Sequence, residues 1–206
     1  MEREYLGMAN TLGSEFKSSG ITEKTPKTIM LGAGTIHKGL TFSGDTWNFE
    51  ESLICATSGG SKLSIVPEFY DVPVDGALVK VKGLTVKVGE TATMEINPVE
   101  LIPEVLKMAV IGDEAASETA TGYSEIKSRA IINEGDYLTD MGYVGKTIDG
   151  TPIIIIFDNA LCTSGLELEG KNKEAAVPAF TFECFADLSP EADTLPWHIY
   201  YPTPTA

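Results

Sequence analysis

Cations are scarce in this chain: 15 Lys and Arg stand against 30 Asp and Glu, leaving a formal net charge of −15 and a pI near 4.4. Tight nucleic-acid binding depends on Lys and Arg that neutralise phosphates and release counterions, so a field of this sign repels a polyanion. Long apolar runs are missing too. The longest, Ile153 to Phe157, is strand-sized, well short of the roughly 18 apolar residues of a membrane-spanning helix. No membrane association is expected. The N-terminal stretch Met1 to Tyr5 lacks the basic-then-apolar order of a secretory leader, which points to an intracellular origin.

Cysteine and histidine are equally sparse. Cys55, Cys162 and Cys184 are odd in number and widely spaced, fitting neither a disulfide framework nor a zinc knuckle. They read as reduced structural thiols. His37 and His198 stand far apart, with no Cys or paired carboxylate at metal-ligand spacing, so no metal and no cofactor is expected.

What the chain does have is strand periodicity. Leu84, Val86, Val88, Ala92, Met94 and Ile96 alternate with Thr85, Lys87, Thr91, Thr93 and Glu95, and Gly89 and Glu90 mark a turn or bulge. Further strands are expected at Lys27 to Leu31 and Thr35 to Phe42, joined as a hairpin at Gly32 to Gly34. Others are expected within Ser61 to Val74, Ser124 to Ile132, Tyr143 to Thr147, Thr151 to Asp158, Gly165 to Glu169, Ala176 to Leu188 and Trp197 to Tyr201.

One helix is expected, at about 98–109. Asn97 can cap it, Pro98 suits its first position, and Glu100 completes a capping box, while Pro103 can kink it or move its start. Ile111 to Gly122 reads as an exposed excursion. Many strands with one helix indicate a mainly β fold: a β-sandwich or barrel with one flanking α-helix. One domain spans 27–202, preceded by an extended N-terminal arm at 1–26 and followed by a short tail at 203–206. The arm has no sustained period but carries Tyr5, Leu6, Met8, Leu12 and Phe16. A long loop at 43–60 likewise lacks a period yet holds Trp47, Phe49, Leu53 and Ile54. Apolar anchors on segments without a fold of their own suit docking on a partner subunit.

Catalytic motifs do not assemble. Gly32-Ala33-Gly34 follows an expected strand as a dinucleotide fingerprint would, but His37 occupies the third glycine position and another strand follows. Ser58 to Lys62 has the composition of a phosphate loop without its spacing. Glu167 and Glu169 share a strand face and read as solvated carboxylates, and the aromatics Phe180, Phe182 and Phe185 read as core. The expectation is a protein that is not an enzyme.

The order of pieces carries a resemblance: GAGTIHKGLTF, then a loop with Trp47, then the strand-to-helix passage GALVKVKGLTVKVGETATMEINPVEL, then PAFTFECFADL and PWHIYYP. It resembles the major tail tube proteins of long-tailed, siphovirus-like bacteriophages and of Gram-positive prophages. The resemblance runs from about Lys27 to Pro202 and rests on architecture more than on an invariant signature.

It implies hexameric rings stacked head to tail into a DNA-conducting tube in the virion tail, assembled in the host cytoplasm. The implied partners are other copies of the chain, a tape measure protein, a tail terminator and baseplate proteins, with double-stranded DNA passing without tight binding. An acidic lumen suits such passage, and Lys87, Glu90, Thr91, Thr93 and Glu95 are the lumen candidates. The arm, the 43–60 loop and the segment from Trp197 onward would bridge subunits or rings. Two other readings stay open: a capsid decoration or head-tail joining protein, and a carbohydrate-binding module presenting Trp47, Trp197 and Tyr201.

Overall fold

Four consecutive isoleucines, Ile153 to Ile156, followed by Phe157, make a segment apolar on both sides of a strand. Such a strand is stable only where both faces of its sheet are covered. In the computed structural model of the chain, which describes residues 19–188 and 193–203, all five side chains are buried. The rest of the fold is arranged around them.

The elements in chain order are a helical turn α1 (Thr25–Thr28), β1 (Met30–His37), β2 (Phe42–Ser43), β3 (Thr46–Trp47), a second helical turn α2 (Phe49–Ser52), β4 (Lys62–Asp71) and β5 (Thr85–Ile96). There follow α3 (Pro103–Val110), β6 (Gly112–Ala116), β7 (Ser124–Ser128), β8 (Leu138–Thr147), β9 (Pro152–Cys162), β10 (Phe180–Cys184) and β11 (Trp197–Tyr200). The fold is mainly β. Its body is one antiparallel sheet in the order β1-β8-β9-β10-β5-β4, with β11 paired to the lower half of β9, beside the stretch that β10 leaves free.

This sheet is strapped across one face. Its edge strand β1 and the end of β5 are joined by one short segment. Leu53 bridges His37 and the Ile54 N–H reaches the Ile36 carbonyl, while Thr57 bridges Pro98 and the Ser58 N–H reaches the Asn97 carbonyl. Between these bridges Ile54 and Cys55 pack on the main core, so the segment crosses the face of the sheet that carries it.

The concave side holds the main core. Ile36, Met94, Ile96, Phe157, Phe180 and Phe182 meet there, and α3 covers them with Val105 and Ala109. The convex side of β9 holds a smaller core in which Leu40, Ile154 and Ile156 are packed by Trp47, Phe49 and Val144. All three cysteines are buried free thiols, and burial pushes Cys55 up to about 11 and Cys184 up to about 12. Among the described residues no helix is long and apolar enough to cross a membrane.

Several elements differ from expectation, each for a local reason. The stretch expected as a hairpin over 27–42 is one strand, β1, whose pairing with β8 shifts between Leu31 and Thr35. Gly34 lets the backbone pass the ring of Tyr143. A Cβ there would lie 2.4 Å from that ring, so Gly34 serves close approach within a bulged strand and not a turn. The helix begins at Pro103, not Pro98. The supposed capping pair is used elsewhere: Asn97 Nδ2 donates to the Gly60 carbonyl (2.9 Å), and Glu100 Oε2 accepts from the Ala56 N–H (2.8 Å).

The excursion at 111–122 contains β6, which with β7 forms a hairpin, and β7 stops at Ser128 rather than Ile132. No strand forms at 165–169. The 43–60 segment is not structureless, because it contains β2, β3, α2 and both bridges.

The long alternation in β5 divides at its bulge. Ala92, Met94 and Ile96 are buried, but Val86 and Val88 are exposed. A Phe182→Ala variant is therefore expected to lose about 3–5 kcal/mol, as a large buried aromatic does. Val88→Thr is expected to stay within about 0.5 kcal/mol of wild type. Chemical denaturation of the two variants checks this, and equal losses would place the outer half of β5 in the core.

Candidate assembly surfaces

On the face of β5 opposite Ala92 and Met94 stand Thr91, Thr93 and Glu95. Residues directly paired across an antiparallel ladder share a face, so the register extends this row onto the neighbouring strands. Lys62, Glu95 and Thr181 lie side by side, as do Ser64, Thr93 and Glu183. The result is a polar plateau rich in hydroxyls, with two carboxylates and one ammonium. Thr181, Glu183, Ser64 and Lys62 were not singled out from sequence. Only strand register brings them beside Thr91, Thr93 and Glu95.

The other two lumen candidates lie apart from this row. Val88 is left unpaired between Glu68↔Gly89 and Phe69↔Lys87, and this bulge brings Lys87 to Glu90, where Nζ meets Oε2 at 2.5 Å. Glu90 shares the parity of Ala92 and Met94, and its Oε1 accepts the Trp197 indole N–H at 2.6 Å. The Lys87 ammonium, and then the indole, hold the Glu90 carboxyl below its ordinary range. The five lumen candidates thus divide between two faces. Thr91, Thr93 and Glu95 form one surface, while Lys87 and Glu90 join the β4–β5 hairpin to β11.

Of the subunit-bridging candidates in the 43–60 segment, Trp47 and Phe49 pack on the chain's own smaller core and Ile54 on the main core. Leu53 alone of the four is half exposed. The segment is pinned from beneath by His37, which is 3% exposed. Ser52 Oγ donates to the Asn48 carbonyl (2.7 Å), so it accepts from His37 Nδ1–H (2.9 Å), and His37 Nε2 accepts from the Thr35 hydroxyl (2.8 Å). These roles are those of a neutral imidazole, the form that burial favours by lowering the His37 pKa. Tyr5, Leu6, Met8, Leu12 and Phe16 lie outside the described residues.

The surface that sequence reasoning missed is the outer part of the β4–β5 hairpin. Ten large apolar side chains between Val66 and Val88 are exposed, among them Phe69, Leu78 at 97% and Val79 at 77%. Alternation put Leu84, Val86 and Val88 in one row with Ala92, Met94 and Ile96 and did not set the exposed stretch apart. A strand pattern reports that a face is apolar, not what covers it.

A second apolar surface lies on the convex side of β9 and β11. Phe42, Trp47, Ile154, Tyr200 and Tyr201 line an open groove of about 450 Å³. Trp47 meets Tyr200 edge-on with ring centroids 5.1 Å apart. Trp197 is no part of it, since its indole is turned toward Glu90.

Among the described residues no group of three or more His, Cys, Asp or Glu side chains is placed to hold a metal ion. Glu167 and Glu169 lie on an exposed loop, and Glu169 pairs with Lys171 at 3.4 Å. His198 pairs with Asp158 at 3.2 Å and stands in one cross-strand row with Ile156, Gly142 and the buried His37, three strands away. No protein-family model matches the chain, and a search of curated proteins finds no match.

The His37 arrangement generates a pH prediction. A histidine whose folded pKa is depressed is neutral in the fold but takes up a proton when unfolded. Its stabilisation is therefore complete above about 6.5 and is lost as pH falls from there toward the folded value. Thermal unfolding between pH 7.5 and 5 should show wild type losing up to about 1.4 kcal/mol per pH unit through this group. In His37→Gln that part of the slope should vanish, and parallel profiles for the two proteins would refute the assignment.

Proposed function

We propose that this chain is a structural subunit of a phage tail tube, forming stacked hexameric rings around an acidic, DNA-conducting lumen in the virion tail. The observation that carries the reading is the β4–β5 arm. A chain that leaves ten large apolar side chains uncovered on one hairpin exposes far more than the scattered apolar residues of an ordinary monomer surface, and such patches mark association sites. Three features support it. Among the described residues the outer edge of β4 has no partner strand, a site where another strand can add. The polar plateau offers hydroxyls and carboxylates, groups past which a polyanion slides without being gripped. The net charge of −15 acts in the same sense.

Hexameric stoichiometry, the tape measure, terminator and baseplate partners, and assembly in the host cytoplasm come from the resemblance to tail tube proteins. In this reading Thr91, Thr93 and Glu95 face the lumen, whereas Lys87 and Glu90 are structural. The competing virion role, capsid decoration or head-tail joining, would use the same acidic β domain without open-ended stacking. A carbohydrate-binding module would use the aromatic groove, with Trp47 and Tyr201 but without Trp197.

Negative-stain electron microscopy of the purified full chain separates these readings. Hollow rods of uniform diameter are the expected result. Discrete small oligomers would favour the decoration role, and monodisperse globular particles at high concentration would sink the tube reading.

A further inference from the structure

The arm and the aromatic groove are both apolar, one convex and one concave, and both belong to every copy of the chain. We infer that the Leu78–Val79 tip of one copy seats in the Phe42–Trp47–Tyr200–Tyr201 groove of a second copy. The contact is head-to-tail, between two different surfaces. This inference rests on the self-assembling part of the function proposed above and specifies which surfaces meet.

Charge favours a second copy as the occupant. Two chains that each carry −15 repel one another wherever acidic surfaces approach. Between Val66 and Val88, however, Glu68, Asp71 and Asp75 are balanced by Lys80, Lys82 and Lys87. Among the described residues the groove is lined by no charged side chain. These two surfaces can therefore meet without the like-charge cost that the chain's net charge imposes elsewhere.

Area favours it as well. The chain exposes 15353 Å², against roughly 9,400 Å² for a compact monomer of its mass. A generous allowance of about 4,000 Å² for residues outside the described ranges, at the exposure of an unfolded chain, still leaves an excess of about 2,000 Å². A stable interface takes about 800 Å² from each partner. A head-to-tail copy covers surface in two places, around its own tip and around its own groove, so association draws on that excess twice. Because the two surfaces differ, the contact propagates into a ring if the rotation closes and into a filament if it does not.

Mixing variants tests the contact. The double variant Leu78→Asp, Val79→Asp removes the tip at two highly exposed positions, and Phe42→Glu and Tyr201→Asp separately alter the exposed rim of the groove. In sedimentation velocity, wild type should form large species. The tip variant and either groove variant should each remain monomeric at concentrations at least tenfold above those at which wild type assembles. A one-to-one mixture of tip and groove variants should stop at dimers, since one intact tip and one intact groove remain per pair.

Assembly of the tip variant, or of both groove variants, at wild-type concentrations would overturn the inference, as would a wild-type chain that stays monomeric throughout. Groove variants that assemble while the tip variant does not would mean that arms pack on arms, which overturns it too. The tube reading fails separately. Dimers in the mixture without rods from wild type would leave the contact standing and the tube refuted. Rods from the groove variants would do the reverse.

Discussion

The fold depends on the double-sided burial of β9. Because Ile153 to Phe157 are apolar on both faces, each side of this strand demands a cover, and the two covers are made from different parts of the chain. The concave cover is the main core under α3. The convex cover is the 43–60 segment, which lays Trp47 and Phe49 over Ile154 and Ile156 and then crosses the main core to the end of β5. One constraint thus explains both the path of this segment and the position of the aromatic groove. The groove is the outer margin of the convex cover, where Trp47 meets Tyr200 of β11.

The buried polar groups follow from the same arrangement. A segment that must both cover β9 and reach across to Pro98 has little regular hydrogen bonding of its own, and its polar groups need partners. The fold supplies them with side chains. His37 holds Ser52, Asn48 Nδ2 reaches the Gly39 carbonyl, Asn97 holds the Gly60 carbonyl, and Glu100 holds the Ala56 N–H. The residues that suggested a helix cap are thereby spent on a loop, which is why α3 starts at Pro103, where a missing N–H costs nothing.

Legibility in the sequence followed the range of the physics involved. The mainly β class, the single principal helix and the aromatic core of β10 rest on periodicity and local propensity, and these are carried by neighbours in the chain. Phe180, Phe182 and Cys184 share a parity and are buried together. The polar face of β5 was readable for Thr91, Thr93 and Glu95, whose pairing is regular. It failed at Lys87 and Glu90, because a bulge re-aims side chains in a way that only the partner strand reveals. The close approach of Gly34 to Tyr143 joins residues far apart in sequence, and no local signal marks it. The arm was the largest omission. Its alternation is as clean as that of the buried half of β5, and the two halves differ in whether β10 lies beside them and the main core beneath them.

That difference has an energetic consequence. Ordering the backbone costs about 1–2 kcal/mol per residue whether or not a strand has a core beneath it. In the inner half of the β4–β5 hairpin, burial of Ala92, Met94 and Ile96 offsets this cost. In the outer half the apolar side chains face water and offset little of it, leaving cross-strand pairs, the Asp71–Lys80 and Lys87–Glu90 ion pairs and the Trp197–Glu90 bond. Exposed ion pairs contribute little in water. The arm is therefore the element whose order depends least on the fold of its own chain and gains most from being covered. A surface of that kind couples its own ordering to association, so in the head-to-tail contact inferred above the copy whose tip docks would complete the order of its own arm.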